Sequence, residues 1–238
     1  MKRIKVAHFL QDPAHCAVAA SAVVANFYNS DIDYEKVKVV AHKKVSKKVA
    51  EVGLDSPEIC MLLNNLGFQK VTLVTGAFSV IDYTWSNYSR KKMNESLKES
   101  ISKKKDKEER SLTKNLYKWY NMEDYDNSIK IDYNFGSYIR KYLNKKMPII
   151  ISFNWTMFFK FHKDGEDGLA DPINGDSEEH AVVANGYDKN GVWIVDSHHQ
   201  YYKYKRKRYR KGFYKISWEN LMTVMGQGDV IIPSNYMK

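Results

Sequence analysis

The sequence predicts an α+β protein, and three observations carry that prediction. Helical signals dominate the first part of the chain, from the apolar run Ala17 to Tyr28 to Leu112, Leu116, Trp119 and Tyr120, which recur at helical spacing. Short apolar strands pair late, around the turn pair Asn190-Gly191. Elements segregated in this way pack helices against an antiparallel sheet instead of alternating through βαβ units. The third observation is composition. An apolar fraction of 43%, with 17 Tyr, 10 Phe and 5 Trp, supplies a packed core and excludes disorder. The length of 238 residues fits a single domain, 1–238, with a helical insertion at 83–127. There is no internal repeat.

In chain order, Ile4 to Leu10 reads as a short strand or extended entry with Gln11 at its end. Asp12-Pro13 resembles a helix start, Asp as cap and Pro at the first helical position. A helix capped there would already engage the N–H of Cys16 internally, so a turn at Asp12 to Ala14 and a helix from about His15 are preferred. Residues 17–28 are apolar nearly all round, which predicts a helix buried within the domain. Tyr34 to Lys48 reads as a second, surface helix. Ser56 as cap and Pro57 at the first position launch a helix through Leu66, stopped by Gly67. Val71 to Val74 reads as a strand.

Residues 83–127 change in character. The charged section 90–110 favours helix and reads as a solvated face or a mobile arm. Ile131 to Asn144 reads as an amphipathic helix, Ile149 to Phe153 as a buried strand and Phe158 to Ser177 as a loop. Two strands, Ala181 to Asn185 and Val192 to Val195, are joined by Gly186 to Gly191. Tyr201 to Lys215 alternates in a manner that suits an exposed hairpin. Ser217 caps a helix to Met225, and Asp229 to Ile232 closes the chain as a strand.

Two cysteines, Cys16 and Cys60, build no disulfide framework, and the absence of Cys-x-x-Cys spacing argues against structural zinc. The adjacent pairs His15/Cys16 and His198/His199 are poorly arranged to converge on one ion, so no metal or other cofactor is expected. Met1 to Lys5 leads into only a short apolar stretch. With no signal-type core and no run long enough for a bilayer, a reducing cytoplasmic location and no membrane partner are expected.

A cysteine at a helix start sits in a positive local field that favours the thiolate. Cys16 is the candidate, and Gln11 just upstream is a candidate donor to an oxyanion beside the Cys16 N–H. His180 precedes one strand of the late hairpin and Asp196 ends the other. A short turn brings those ends to the same sheet edge, where the carboxylate can orient the imidazole toward a thiol. Cys60, between Ile59 and Met61 in mid-helix, reads as core.

Gln11 and Cys16 ahead of an Ala/Val helix, followed by His180-Ala-Val-Val-Ala-Asn-Gly-Tyr-Asp and Val192-Trp-Ile-Val-Asp196, resemble the papain-like cysteine peptidases. The chain is most similar to the bacteriocin-processing peptidases that cleave after double-glycine leaders, the family 39-like group, and Gly212-Phe-Tyr-Lys-Ile-Ser-Trp218 through Pro233 resembles their final strands. The resemblance covers 1–75 and 129–233. It implies a papain-like fold and a thiol hydrolase of peptide or amide bonds. Cys16 would be the nucleophile, His180 the base and then acid, Asp196 the orienter, and Gln11 with the Cys16 N–H the oxyanion hole. His15 and Ala17 stand where the family usually has Asp and Gly. No transporter segment follows in this sequence, so an export-linked role is not expected.

Two other functions remain open at this stage. The same constellation suits acyl transfer or deamidation, with Trp155, Phe158, Phe159 and Phe161 as candidate cleft aromatics. The stretch 201–215 interleaves Lys and Arg with Tyr, and the net charge is +10. Both features suit nucleic acid or an acidic partner.

Overall fold

The computed structural model describes residues 3–77, 79–163, 170–198, 212–226 and 228–237. Its centre is a seven-stranded sheet in the order β2-β1-β7-β3-β4-β5-β6. The strands are β1 (Phe68–Thr75), β2 (Ser128–Ile131), β3 (Ile149–Asn154), β4 (Glu179–Asp188), β5 (Gly191–Val195), β6 (Phe213–Ser217) and β7 (Asp229–Tyr236). All neighbours are antiparallel except β1 and β2. The α+β class is as expected, and β1, from the N-terminal half of the chain, joins the sheet built by the later strands. The last strand of the chain inserts between β1 and β3. Its run Val230, Ile231 and Ile232 is almost wholly buried, as a strand covered on both faces requires.

Helix α1 (Cys16–Tyr28) is buried continuously from Ala17 to Ala25, and its small side chains let it lie close against β4. Helix α2 (Tyr34–Val40), capped by the Asp33 carboxylate, runs on into a π-helical turn at Ala41–Val45. It turns Tyr34, Val37 and Ala41 toward α1, so the expected surface helix is present but shorter. A single turn, α3 (Val49–Val52), ends at Gly53, whose φ of 76° is one that L side chains rarely adopt.

Helix α4 (Ser56–Asn65) starts one residue earlier than the sequence implied. Asp55, not Ser56, is the cap. Its side chain accepts the Glu58 N–H at 2.8 Å while the Glu58 carboxylate accepts the Asp55 N–H at 3.1 Å. This reciprocal box satisfies two donors at once, which Ser56 with Ile59 three residues later cannot do.

Residues 90–110 are docked in place. Helices α5 (Arg90–Lys103) and α6 (Lys107–Tyr120) pack on each other, and α6 packs on α4. Trp119 Nε1 donates to Asn64 Oδ1 at 3.0 Å, and Asn127 Nδ2 donates to the same oxygen. The charged residues form the solvated face of this hairpin, as its low apolar content requires.

Three further expectations change. Ile131 ends β2, and the predicted helix begins only at α7 (Phe135–Asn144), capped by Asn134. The predicted loop from Phe158 begins inside a short helix, α8 (Trp155–Phe159). Gly186 lies within β4, so the β4–β5 loop is only Lys189-Asn190, between the paired Asp188 and Gly191. Helix α9 (Trp218–Val224) carries the expected Ser217 cap. Residues 201–211 of the basic stretch lie outside the described residues.

Candidate active site

Cys16 is the first residue of α1, with His15 as the cap position. Before it, His15 N donates to Asp12 O at 3.1 Å, closing the anticipated turn, and Ala14 takes a left-handed φ of 60°. The Cys16 N–H therefore belongs to the first turn, where helix donors have no internal acceptor. Burial pushes the Cys16 thiol up, but hydrogen bonding to His180 and its charge, with backbone N–H groups of Ala181 and Ala17, outweigh this and leave it lowered. Cys60 is fully buried, where Cys16 is half-buried, and it lacks such donors among the described residues. Its thiol is raised well above the ordinary range, consistent with an inert core residue.

His180 lies in β4, opposite Phe153 of β3, and Asp196 directly follows β5. The hairpin register, with Val183 opposite Val195, carries the two side chains together. His180 Nε2 and Asp196 Oδ1 are 2.9 Å apart, and both residues are buried. Burial alone would lower the imidazole. The carboxylate's charge and hydrogen bond, and then the thiol's, raise it instead. Thiol lowered and imidazole raised both shift the pair toward thiolate and imidazolium.

Asp196 is held on every side. Its Oδ1 also accepts the His198 N–H at 2.9 Å, and its Oδ2 accepts the Tyr214 hydroxyl at 2.6 Å. Its own N–H donates to Gly212 O, and its carbonyl lies 2.8 Å from His8 Nε2. A Cβ on Gly212 would come within 2.1 Å of that carbonyl, so only glycine fits. The Trp155 ring lies 5.8 Å from the His180 ring and 4.7 Å from that of His198, shielding the ion pair from water.

Gln11 is buried, and Ser197 fixes it twice. Gln11 N donates to Ser197 O at 3.1 Å, and Ser197 Oγ donates to Gln11 Oε1 at 2.8 Å. Locking the amide oxygen leaves the NH2 end as the donating end. His15 turns elsewhere: its Nδ1 is 2.6 Å from Pro13 O and its Nε2 is 3.3 Å from His42 Nε2.

Beside the thiol opens a cavity of about 510 Å³, lined by Cys16 and His180 and extending to Asp55, Glu179, Asp229 and Leu112. That volume lies within the range of ligand sites, roughly 300–1,000 Å³. Tyr214, Ser197 and His8, which support the site, carried no signal of their own in the sequence. Among the described residues no cluster of three or more His, Cys, Asp or Glu could hold a metal ion.

A family model described as "Peptidase_C39 like family" matches residues 3–225. The chain belongs to that family. This bears out the resemblance read from the Cys16, His180 and Asp196 segments, and with it a cysteine peptidase-like character. Helix α1 packed against an antiparallel β3–β4–β5 sheet agrees with the papain-like architecture expected of it. Among solved structures, the crystal structure of a double glycine motif protease from an AMS/PCAT transporter in complex with the leader peptide is similar at 15% identity. It covers 98% of this chain and 94% of that chain, with a TM-score of 0.44. No curated protein matches this chain. Among the described residues no helix is long and apolar enough to cross a membrane.

Proposed function

We propose that the protein is a cysteine hydrolase of peptide or amide bonds acting through Cys16, His180 and Asp196. The observation that carries this reading is the lowered Cys16 thiol against the raised His180 imidazole at a helix N-terminus, beside a cavity. The Cys16 thiolate attacks the scissile carbonyl carbon. The oxyanion accepts hydrogen bonds from the Cys16 N–H and the Gln11 amide. The His180 imidazolium gives its proton to the leaving amine as the C–N bond breaks, which leaves a thioester. His180, now neutral, takes a proton from water as the water attacks the thioester. Loss of the thiolate then releases the acid, and the proton on His180 restores the ion pair. Asp196 touches no reacting atom in this scheme. It is a positioning residue that holds the ring and favours its charged form.

Cys16→Ala is expected to abolish turnover of peptide substrates and labelling by a thiol-directed acyl probe, while Cys60→Ala leaves labelling in place. Mass analysis of products with an added amine separates hydrolysis from transfer. Full turnover or undiminished labelling in Cys16→Ala would remove the assignment.

A further inference from the structure

The cavity beside Cys16 is acidic, although the chain as a whole is basic. Three carboxylates converge on it from separate elements: Asp55 at the cap of α4, Glu179 at the start of β4 and Asp229 at the start of β7. They are not equivalent. Asp55 is already committed, with Oδ1 accepting from Glu58 N and Oδ2 accepting from Asn115 Nδ2 of α6 at 2.7 Å. Asp229 is only 8% exposed, and its Oδ1 has no hydrogen-bond partner among the described residues. Glu179 is exposed at the cavity mouth.

A buried carboxylate oxygen without a donor costs stability, of order 1–3 kcal/mol for an unmet polar group. Proteins keep such groups where a ligand completes them. The surrounding groups do not supply the missing charge. Asp55 is raised to about 7, chiefly by desolvation, with the Glu58 and Asp229 charges adding their repulsion. Asp229 itself is raised to about 6, by burial, against weaker help from the Ser56 and Thr75 hydroxyls. The remaining lining mixes serines, Ser56, Ser79 and Ser152, with apolar side chains. Leu54, Ile59, Ala77 and Leu112 line the same space, and Leu112 comes from the helical segment 83–127. A long apolar stem ending in a cation matches both the walls and the carboxylates.

Resting on the peptidase reading above, we infer that this cavity is a substrate pocket selecting a lysine or arginine side chain close to the scissile bond, held by Asp229 and Glu179. The basic remainder of the chain does not prevent this, because at physiological salt charges are screened over about 8 Å. Contact within the pocket decides selection, and α6 closes its wall with Leu112 while tethering Asp55 through Asn115.

The test has two arms. In the first, binding of acetyl-lysine methylamide and acetyl-norleucine methylamide to the Cys16→Ala full chain is followed by NMR shifts, which needs no turnover. The lysine compound is expected to bind about tenfold or more tightly, and Asp229→Asn together with Glu179→Gln to erase the difference. Equal binding of the two compounds, or a preference that survives both substitutions, would overturn the pocket assignment. In the second arm, the wild-type chain digests a mixed peptide library and cleavage sites are read by mass spectrometry. Basic residues are expected to be enriched at one subsite, with lysine enrichment lost after acetylation of the library. Cleavage without that enrichment counts against the pocket. Binding preference without any cleavage leaves the pocket standing and overturns the peptidase reading.

Discussion

Two buried aspartates serve this cleft in opposite ways. Asp196 accepts from His180, the His198 N–H and the Tyr214 hydroxyl, so its charge is compensated within the fold. Asp229 is nearly as buried but leaves one oxygen unmet among the described residues, and the hydroxyls near it do not offset the desolvation. The difference separates positioning from binding. A fully partnered carboxylate fixes the geometry of another side chain, whereas an incompletely partnered one holds capacity for something that arrives later. If this contrast is right, replacing each by its neutral isostere has opposite consequences for stability.

The largest effect is expected at Asp196. Asp196→Asn removes the charge that raises His180, and the imidazole then meets the thiol in the wrong form over much of the pH range. A loss of kcat/KM of roughly 10²- to 10⁴-fold is expected, by analogy with loss of the orienting carboxylate in other triads. The sign of the pH effect follows from the ion pair. Activity rises as the lowered thiol ionises and falls as the raised imidazolium loses its proton. Without Asp196 the alkaline limb moves to lower pH. Folding stability should also fall, by about 3 kcal/mol for a broken buried pair. A pH–rate profile together with denaturant melts checks both, and an unmoved alkaline limb would reduce Asp196 to a packing role.

A smaller effect is expected at Gln11. Gln11→Ala removes the amide proposed to face the oxyanion, for about 10²-fold in kcat with KM little changed. Stability changes by about 1 kcal/mol, the usual value of one hydrogen bond, here that from Ser197. Steady-state kinetics separate the two parameters, and a change confined to KM would move Gln11 from transition-state to ground-state binding.

The partnered half of the contrast was legible in the sequence and the other half was not. His180 and Asp196 were readable because a two-residue turn forces the ends of β4 and β5 together, whatever the remaining fold does. Cys16 was readable because a helix capped at Asp12 would engage its N–H, which favours a turn before it, and because the apolar run demands a buried helix. The acidic pocket rests instead on non-local facts. Asp229 reads as an ordinary strand start until β7 inserts between β1 and β3. Asp55 was mistaken for the residue before the cap, although Glu58 three positions later marks it as the head of a capping box. The parallel pairing of β2 with β1 was missed for the same reason as the pocket, since Ser128–Ile131 is short and its partner lies over 50 residues away.

The last expected effect tests the incompletely partnered aspartate most directly. The Asp229 carboxyl has a folded pKa of about 6 against an ordinary value of 3.8, so the folded protein binds its proton more tightly than the unfolded chain. Its stabilising contribution is then fully present below the unfolded value and is lost as pH rises through the folded one. Asn does not titrate, and its amide oxygen can still accept from Ser56 and Thr75. Asp229→Asn is therefore expected to gain on the wild type between pH 4 and pH 8, by roughly 2–3 kcal/mol for a shift of this size. Removing that charge also lowers Glu179 and Asp55, both of which Asp229 now raises. Denaturant melts of the two proteins across that range give the comparison. Parallel stability curves would mean that the Asp229 charge is already compensated in the fold, and the asymmetry between the two aspartates would disappear with it.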